Sequence, residues 1–297
     1  FYFDAEISWP WLVLGNSFGR SIWAVQWYEI TGALGGSLWI WFCNLGLFGL
    51  MVSLSDGSWH YFNAKKKVAV IAGYLILLIA PLIVSNSIGK GYKDSMEASE
   101  SLETVIIQPN IDPYNKFQAL TQDQQNAIFL SQAAKALESR KNDSTSTPLL
   151  LLAPETFTND IIVGQYERSV TWRRFTSFLK DYPNVNLLFG ASSYDYIRAS
   201  LRPSSTARKL GNDLWLESHN SALMTDGTGR TEIFHKSKLV VAVEKTPYPA
   251  LFCRLDDLLG GVMGRCVGQD EITLMHAGDI PVGCAVCYES VYGEYYT

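Results

Sequence analysis

Charge is scarce in this chain. Lys and Arg number 24 against 29 Asp and Glu, 18% of 297 residues, for a formal charge of -5. The basic residues form no stripe able to neutralise a run of phosphates, so no nucleic-acid partner is expected. Histidine occurs four times and cysteine five, and the cysteines supply one close pair, Cys284-x-x-Cys287. A structural zinc wants two such pairs, and Cys43, Cys253 and Cys266 repeat nothing of the kind, so no metal is expected. A thioredoxin-like redox pair needs its first cysteine at a helix N-terminus, whereas "PVGCAVC" (281–287) reads as an apolar strand. Strand positions three apart face opposite ways. One cysteine then faces the core, and Cys287, where the apolar run stops, is the one placed for chemistry. No secretory leader is visible and no internal repeat is found. Phe1 opens inside an apolar segment, which reads as an internal piece of a longer membrane protein.

Apolar residues are abundant instead, at 47% with a mean hydropathy of +0.04. That is too apolar for an ordinary soluble enzyme. Residues 33–54, "ALGGSLWIWFCNLGLFGLMVSL", and 68–88, "VAVIAGYLILLIAPLIVSNSI", carry no charge and are long enough to cross a bilayer as helices. Gly73 and Pro81 are tolerable there. Lys65, Lys66 and Lys67 in the connection predict that it is cytoplasmic, which places the chain beyond Ile88 outside. Residues 9–30, rich in Trp and Tyr but broken by Arg20 and Glu29, read either as an interfacial segment or as helix packed on the two spans. The membrane region is thus 1–102.

From Glu103 the texture changes to an α/β layered domain over 103–297. Strands are predicted at 103–110, 147–155, 184–192 and 281–287, helices at 118–140 and 165–180, and a hairpin around Asp226-Gly227-Thr228-Gly229. "ASLRPSSTARKLGN" (199–212), with Arg202, Arg208 and Lys209, is a solvated loop or a contact for lipid headgroups. "PALFCRLDDLLGGVMG" (249–264) is a mobile apolar arm or a core helix with a glycine stop.

A free thiol is only a few per cent thiolate at neutral pH, so a nucleophilic Cys287 needs a base and a positive charge nearby. Glu155 closes "LLLLAPE" and Lys236 closes "TEIFHK", each at a strand end. The order Glu, Lys, Cys, with "APET", "HNSALMTDGTG", "FHKSKLV" and "CYE", resembles the nitrilase (carbon-nitrogen hydrolase) superfamily over about 103–297. With the spans, "QWYEITGALGGSLWIWFCN" (26–44) and "VIIQPNI" (105–111), the resemblance narrows to the apolipoprotein N-acyltransferase family. Ala153 stands where that family commonly has Trp, and "VAVEKTPYP" replaces its Val-Pro-Phe-Gly-Glu run while keeping Glu244.

The resemblance implies a nitrilase-like α-β-β-α sandwich attached to transmembrane helices, in a multi-pass protein of the bacterial inner membrane with its catalytic domain on the periplasmic side. It implies a two-step acyl transfer from a phospholipid donor, through a Cys287 thioester, to the α-amine of a diacylated apolipoprotein. Glu155 is then the general base, and Lys236 with the Tyr288 N–H forms the oxyanion site. Glu244 orients Lys236, and Glu289 shapes the site. The enzyme is expected to be a monomer that uses no cofactor and touches membrane lipids. The alternative is a membrane-tethered nitrilase-type amidohydrolase. The family normally continues with more strand, helix and a final span, so 103–297 is expected to be incomplete at its C-terminal end. An external location permits a Cys253–Cys266 disulfide.

Overall fold

The computed structural model describes residues 6–7, 12–98, 101–112, 114, 116, 119–142 and 147–292. They fall into two compact units, one within 9–100 and the other formed by 101–297 with the first eight residues.

The first unit is helical. Helix α1 (Tyr28–Ser55) and helix α2 (Ala64–Ala98) are both long and apolar enough to cross a membrane. At about 1.5 Å per residue each exceeds the hydrocarbon thickness. Gly32 breaks α1 with φ +62, a conformation glycine adopts without penalty, so the continuous apolar helix begins at Ala33. Trp41, Phe48, Ile76 and Ile83 are all more than half exposed, as side chains turned to lipid are. Between the helices, Trp39 Nε1 donates to the Leu77 carbonyl at 2.8 Å and Tyr74 Oη to the Cys43 carbonyl at 3.2 Å.

One reading of this region needs correction. The three lysines expected in the connection lie in the first turn of α2, because the Asn63 side chain accepts the Lys66 N–H at 2.9 Å and starts the helix there. Upstream, residues 12–27 form 3-10 turns at Leu14–Phe18 and Ile22–Ala24 that are bonded to the spans. The Gly15 N–H donates to Ser37 Oγ at 2.9 Å, and Ser85 Oγ donates to the Trp23 carbonyl at 2.7 Å. These turns are bonded to the spans; residues 9–11 of the expected segment lie outside the described residues.

The second unit is a mixed sheet. Its strands are β1 (Glu103–Ile106), β2 (Leu149–Leu152), β3 (Thr158–Ile162), β4 (Val185–Arg198), β5 (Arg208–Lys209), β6 (Leu214–Thr225) and β7 (Thr231–His235). The order is β1-β2-β4-β6-β5, with β3 also on β4 and β7 also on β6. Pairing is parallel from β1 to β4 and antiparallel from β4 onward. The long strand β4 takes β2 along its first half and β3 along its second, so the 153–157 turn crosses from one partner to the next on the same edge. The turn is tied on each side. Ala153 N donates to the Leu188 carbonyl at 2.8 Å, Gly190 N to the Pro154 carbonyl at 3.1 Å and Phe157 N to the Gly190 carbonyl at 2.8 Å.

Strand alternation sorts the apolar residues into two layers. Leu149, Leu151, Leu187, Phe189 and Leu223 face helices α3 (Gln122–Ala136) and α4 (Val170–Leu179), where Phe129, Phe175 and Leu179 complete a fully buried core. Each such side chain contributes about 1.5–3 kcal/mol on burial. Leu150, Ala222, Met224 and Phe234 face the other way, onto a two-stranded layer of β8 (Met275–Ala277) and β9 (Ile280–Val282). Both helices are shorter than predicted. Thr121 makes a capping box with Gln124 that fixes the start of α3, and Ser169 caps α4 through the Trp172 N–H, after a separate turn at Tyr166–Arg168.

Helix α5 (Pro249–Leu258) ends at Gly260 and Gly261, both at positive φ. It buries Cys253 and Asp256 while Leu251, Leu258 and Leu259 stay exposed. Arg202 pairs with Asp257 at 3.1 Å and Arg208 donates to the Gly261 and Met263 carbonyls, so the basic stretch 199–212 clamps the end of α5.

Candidate active site

Five segments converge beside the C-terminal end of β7. Lys236 follows that strand directly, and its side chain is 1% exposed. Its ammonium lies 3.0 Å from each oxygen of Glu244 and 3.4 Å from Glu155 Oε1. Glu244 reaches it from the turn after Val240, whose N–H donates to Glu244 Oε2 at 2.8 Å. Glu155 sits in the 153–157 turn, three residues past the end of β2 rather than closing it. One buried lysine thus stands between two carboxylates.

Cys287 opens a 3-10 turn, Cys287–Val291, at φ +50. This corrects the strand expected to run through 281–287: β9 stops at Val282. Glu289 holds the turn instead. Its carboxylate is fully buried, and Oε2 accepts the Val286 N–H at 2.7 Å, a donor that a ladder strand gives to its neighbour. Oε1 accepts the N–H groups of Ser237 at 2.6 Å and Lys238 at 3.2 Å. The same side chain therefore ends β7 before Lys238, so Lys236 and Lys238 do not alternate along one strand. The Lys238 ammonium lies over the Tyr292 ring, 5.4 Å from its centroid.

The Cys287 thiol is exposed and close enough to the Glu155 carboxylate, to Lys236 and to the Tyr288 N–H for all three to act on it. Partial burial pushes the thiol above its ordinary value, and the charge and hydrogen bond of Glu155 push it further; Lys236 and the Tyr288 N–H pull it down. The resting proton is on sulfur, next to the group that can take it. Cys284 packs against the second apolar layer and burial, then Glu289, pushes it up to about 12. The two cysteines differ as expected, although a turn separates them and not strand alternation. Cys253 and Cys266 are both free thiols.

The geometry brings together Glu155, Lys236, Glu244, Cys287, Tyr288 and Glu289. It also brings in residues not anticipated from sequence. Asn220, within β6, donates to Glu155 and Glu244 at 2.8 and 2.7 Å. Lys116 donates to the Thr156 carbonyl at 2.7 Å and lies close enough to Glu155 to feel its charge. Gly190 lets β4 pass under the turn: a Cβ there would stand 2.5 Å from Glu155 Cα and from Thr156 N. Asn220 was in plain view inside the "HNSALMTDGTG" motif, and Gly190 inside an apolar strand, "LLFGAS", where a glycine signals close backbone approach.

No family model matches the chain. Two curated proteins do. One, from Chlorobaculum tepidum, is 24% identical over 304 residues and covers 98% of this chain; the other, from Geobacter metallireducens, is 23% identical over 289 residues and covers 96%. Both are apolipoprotein N-acyltransferases. The chain is similar to them through the helical unit as well as the sheet, and it spans about half their length, 53% and 48%.

Proposed function

We propose that this chain carries the acyl-transfer centre of an apolipoprotein N-acyltransferase and works through a ping-pong mechanism. One observation carries the reading: a thiol beside a carboxylate that shares a buried lysine with a second carboxylate, in a chain similar over nearly its whole length to two such enzymes. Glu155 takes the Cys287 proton as the sulfur attacks an ester carbonyl of a phospholipid. The carbonyl oxygen becomes an oxyanion held by Lys236 and the Tyr288 N–H, each such donor contributing about 3 kcal/mol. Collapse breaks the C–O bond, Glu155 returns the proton to the leaving alkoxide, and a lysophospholipid departs. The α-amine of the diacylated apolipoprotein then attacks the thioester, Glu155 accepts its proton, and as the C–S bond breaks and the amide forms Glu155 passes that proton to the leaving sulfur, restoring the thiol.

Glu244 holds Lys236 in place through both oxygens, and Glu289 holds the turn that presents Cys287. The α-β-β-α sandwich of the nitrilase type is the fold that completes the helix, sheet and β8–β9 layers. The lysines at the start of α2 favour a cytoplasmic connection, which gives a multi-pass protein of the bacterial inner membrane with the sheet unit on the periplasmic side. A monomer suffices, because all the proposed groups come from one chain.

The test combines the purified chain in detergent with a labelled phospholipid and a diacylated lipopeptide, read by mass spectrometry. A Cys287 thioester followed by N-acylated lipopeptide supports the proposal. Free fatty acid as the sole product assigns the chain to the hydrolytic branch and overturns it.

A further inference from the structure

We infer that Asn220 is a positioning residue of this centre: its side-chain amide ties the carboxylates of Glu155 and Glu244 together and holds both against Lys236. Nδ2 lies 2.8 Å from Glu155 Oε1 and 2.7 Å from Glu244 Oε1. A carboxylate oxygen only accepts, so the atom between the two has to be the nitrogen, and both of its N–H bonds are used. That orientation leaves Oδ1 buried with no partner among the described residues. An orphaned buried carbonyl costs stability. Packing therefore does not account for this side chain, whereas the bridge does.

The residue is 5% exposed and sits in β6, where its own carbonyl accepts the Lys236 N–H at 2.8 Å. It grips the lysine through the backbone and the lysine's two partners through the side chain. Its neighbours in the strand are fixed on the opposite face. His219 Nδ1 lies 2.8 Å from the Val267 carbonyl, and Ser221 Oγ lies 2.7 Å from both Ser193 Oγ and His235 Nδ1. The Glu155 side chain, by contrast, is 34% exposed, and Lys236 is 3.4 Å away. Without the amide, Glu155 is free to swing toward water and away from the thiol. The charged and titratable groups around the bridge are Glu155, Glu244, Lys236 and Cys287, with Cys266 beside Glu244 and Lys236, and Lys116 beside Glu155.

The effect on acyl transfer rests on the function proposed above, but the tether can be tested apart from it, at the thiol. Wild type, Asn220→Ala, Glu155→Gln and the double variant are alkylated with iodoacetamide from about pH 6 to 11, a range bracketing ordinary thiol ionisation. The rate at Cys287 is followed by peptide mass spectrometry. Glu155→Gln removes a negative charge and moves the midpoint to lower pH by on the order of one unit. Asn220→Ala is expected to move it the same way, and the double variant no further than Glu155→Gln alone. A midpoint for Asn220→Ala that is unchanged, that moves up, or that adds in full to Glu155→Gln overturns the tether. Should Asn220→Ala fail to fold, Asn220→Ser retains one donor and gives the same comparison with a smaller shift. Absence of transfer in wild type overturns the proposed function and leaves this cycle readable. An unshifted Asn220→Ala in a chain that does transfer acyl groups overturns the tether alone.

Discussion

Glu289 Oε1 lies 2.6 Å from the backbone nitrogen of Ser237, across 52 residues of sequence, and so locks the residue after Lys236 to the turn that starts with Cys287. A carboxylate taking several N–H donors is among the stronger buried hydrogen-bond arrangements. Glu289→Gln replaces one accepting oxygen with an NH2 group that faces a donor. We expect stability to fall by about 2–4 kcal/mol, seen as a lower thermal midpoint, together with loss of thioester formation. Retention of both overturns the assignment of Glu289 as the lock.

Cys287→Ala is expected to abolish the thioester, and Cys284→Ala to leave most of it at a cost of about 1 kcal/mol in stability. Intact-mass analysis after incubation with phospholipid distinguishes the two. Equal loss in both variants, with folding intact, removes Cys287 as the nucleophile.

The raised Cys284 value also predicts a pH effect on stability. The folded state keeps the thiol proton to about pH 12, whereas the unfolded chain loses it near the ordinary value, so the unfolded state is favoured progressively as pH rises above about 9. The stability tied to this group is complete below that ordinary value and declines as pH climbs toward the folded one. Denaturant midpoints measured at rising alkaline pH should fall less steeply in Cys284→Ala than in wild type. Parallel curves contradict the buried environment described for Cys284.

Lys236→Met leaves Glu155 and Glu244 without the cation they share, and removing one partner of a buried ion pair costs about 3–5 kcal/mol. Lys238→Met loses a contact with the Tyr292 ring worth about 0.5–1 kcal/mol. Activity should be lost in the first variant and largely kept in the second, by the lipopeptide assay. Essentiality of Lys238 instead contradicts the register at the end of β7.

Gly190→Ala forces backbone apart, since the nearest atoms to the new Cβ are Glu155 Cα and Thr156 N. Overpacking of this kind costs about 1–3 kcal/mol, and here the displaced atoms carry the candidate base. We expect the Cys287 alkylation midpoint to move toward that of Glu155→Gln. A midpoint unchanged from wild type refutes the close approach.

The helical unit was legible because an uncharged run of membrane length leaves few alternatives. The strands around Leu150, Leu187 and Leu223 were legible because apolar residues crowd them on both faces. The order Glu155, Lys236, Cys287 could be read because each lies at or just past the end of an apolar run. What sequence did not give was where those runs stop: β7 ends at His235, where the Ser237 and Lys238 N–H groups turn to Glu289, about fifty residues further along the chain. Asn220 was passed over for a similar reason. An asparagine in a strand looks like a weak point, and its value lies in two partners 65 and 24 residues distant.

The 153–157 turn sets a limit on how this region can change. Residues on either side of Glu155 are bonded to β4 at Leu188 and Gly190, so the segment is spanned at fixed length between two neighbouring rungs of one strand. Adding or deleting a residue there shifts β3 against β4 by one position and turns its side chains to the opposite layer. Point substitutions around Glu155 leave that spacing intact, so across diverging sequences the rest of the turn can drift in composition while its length stays frozen.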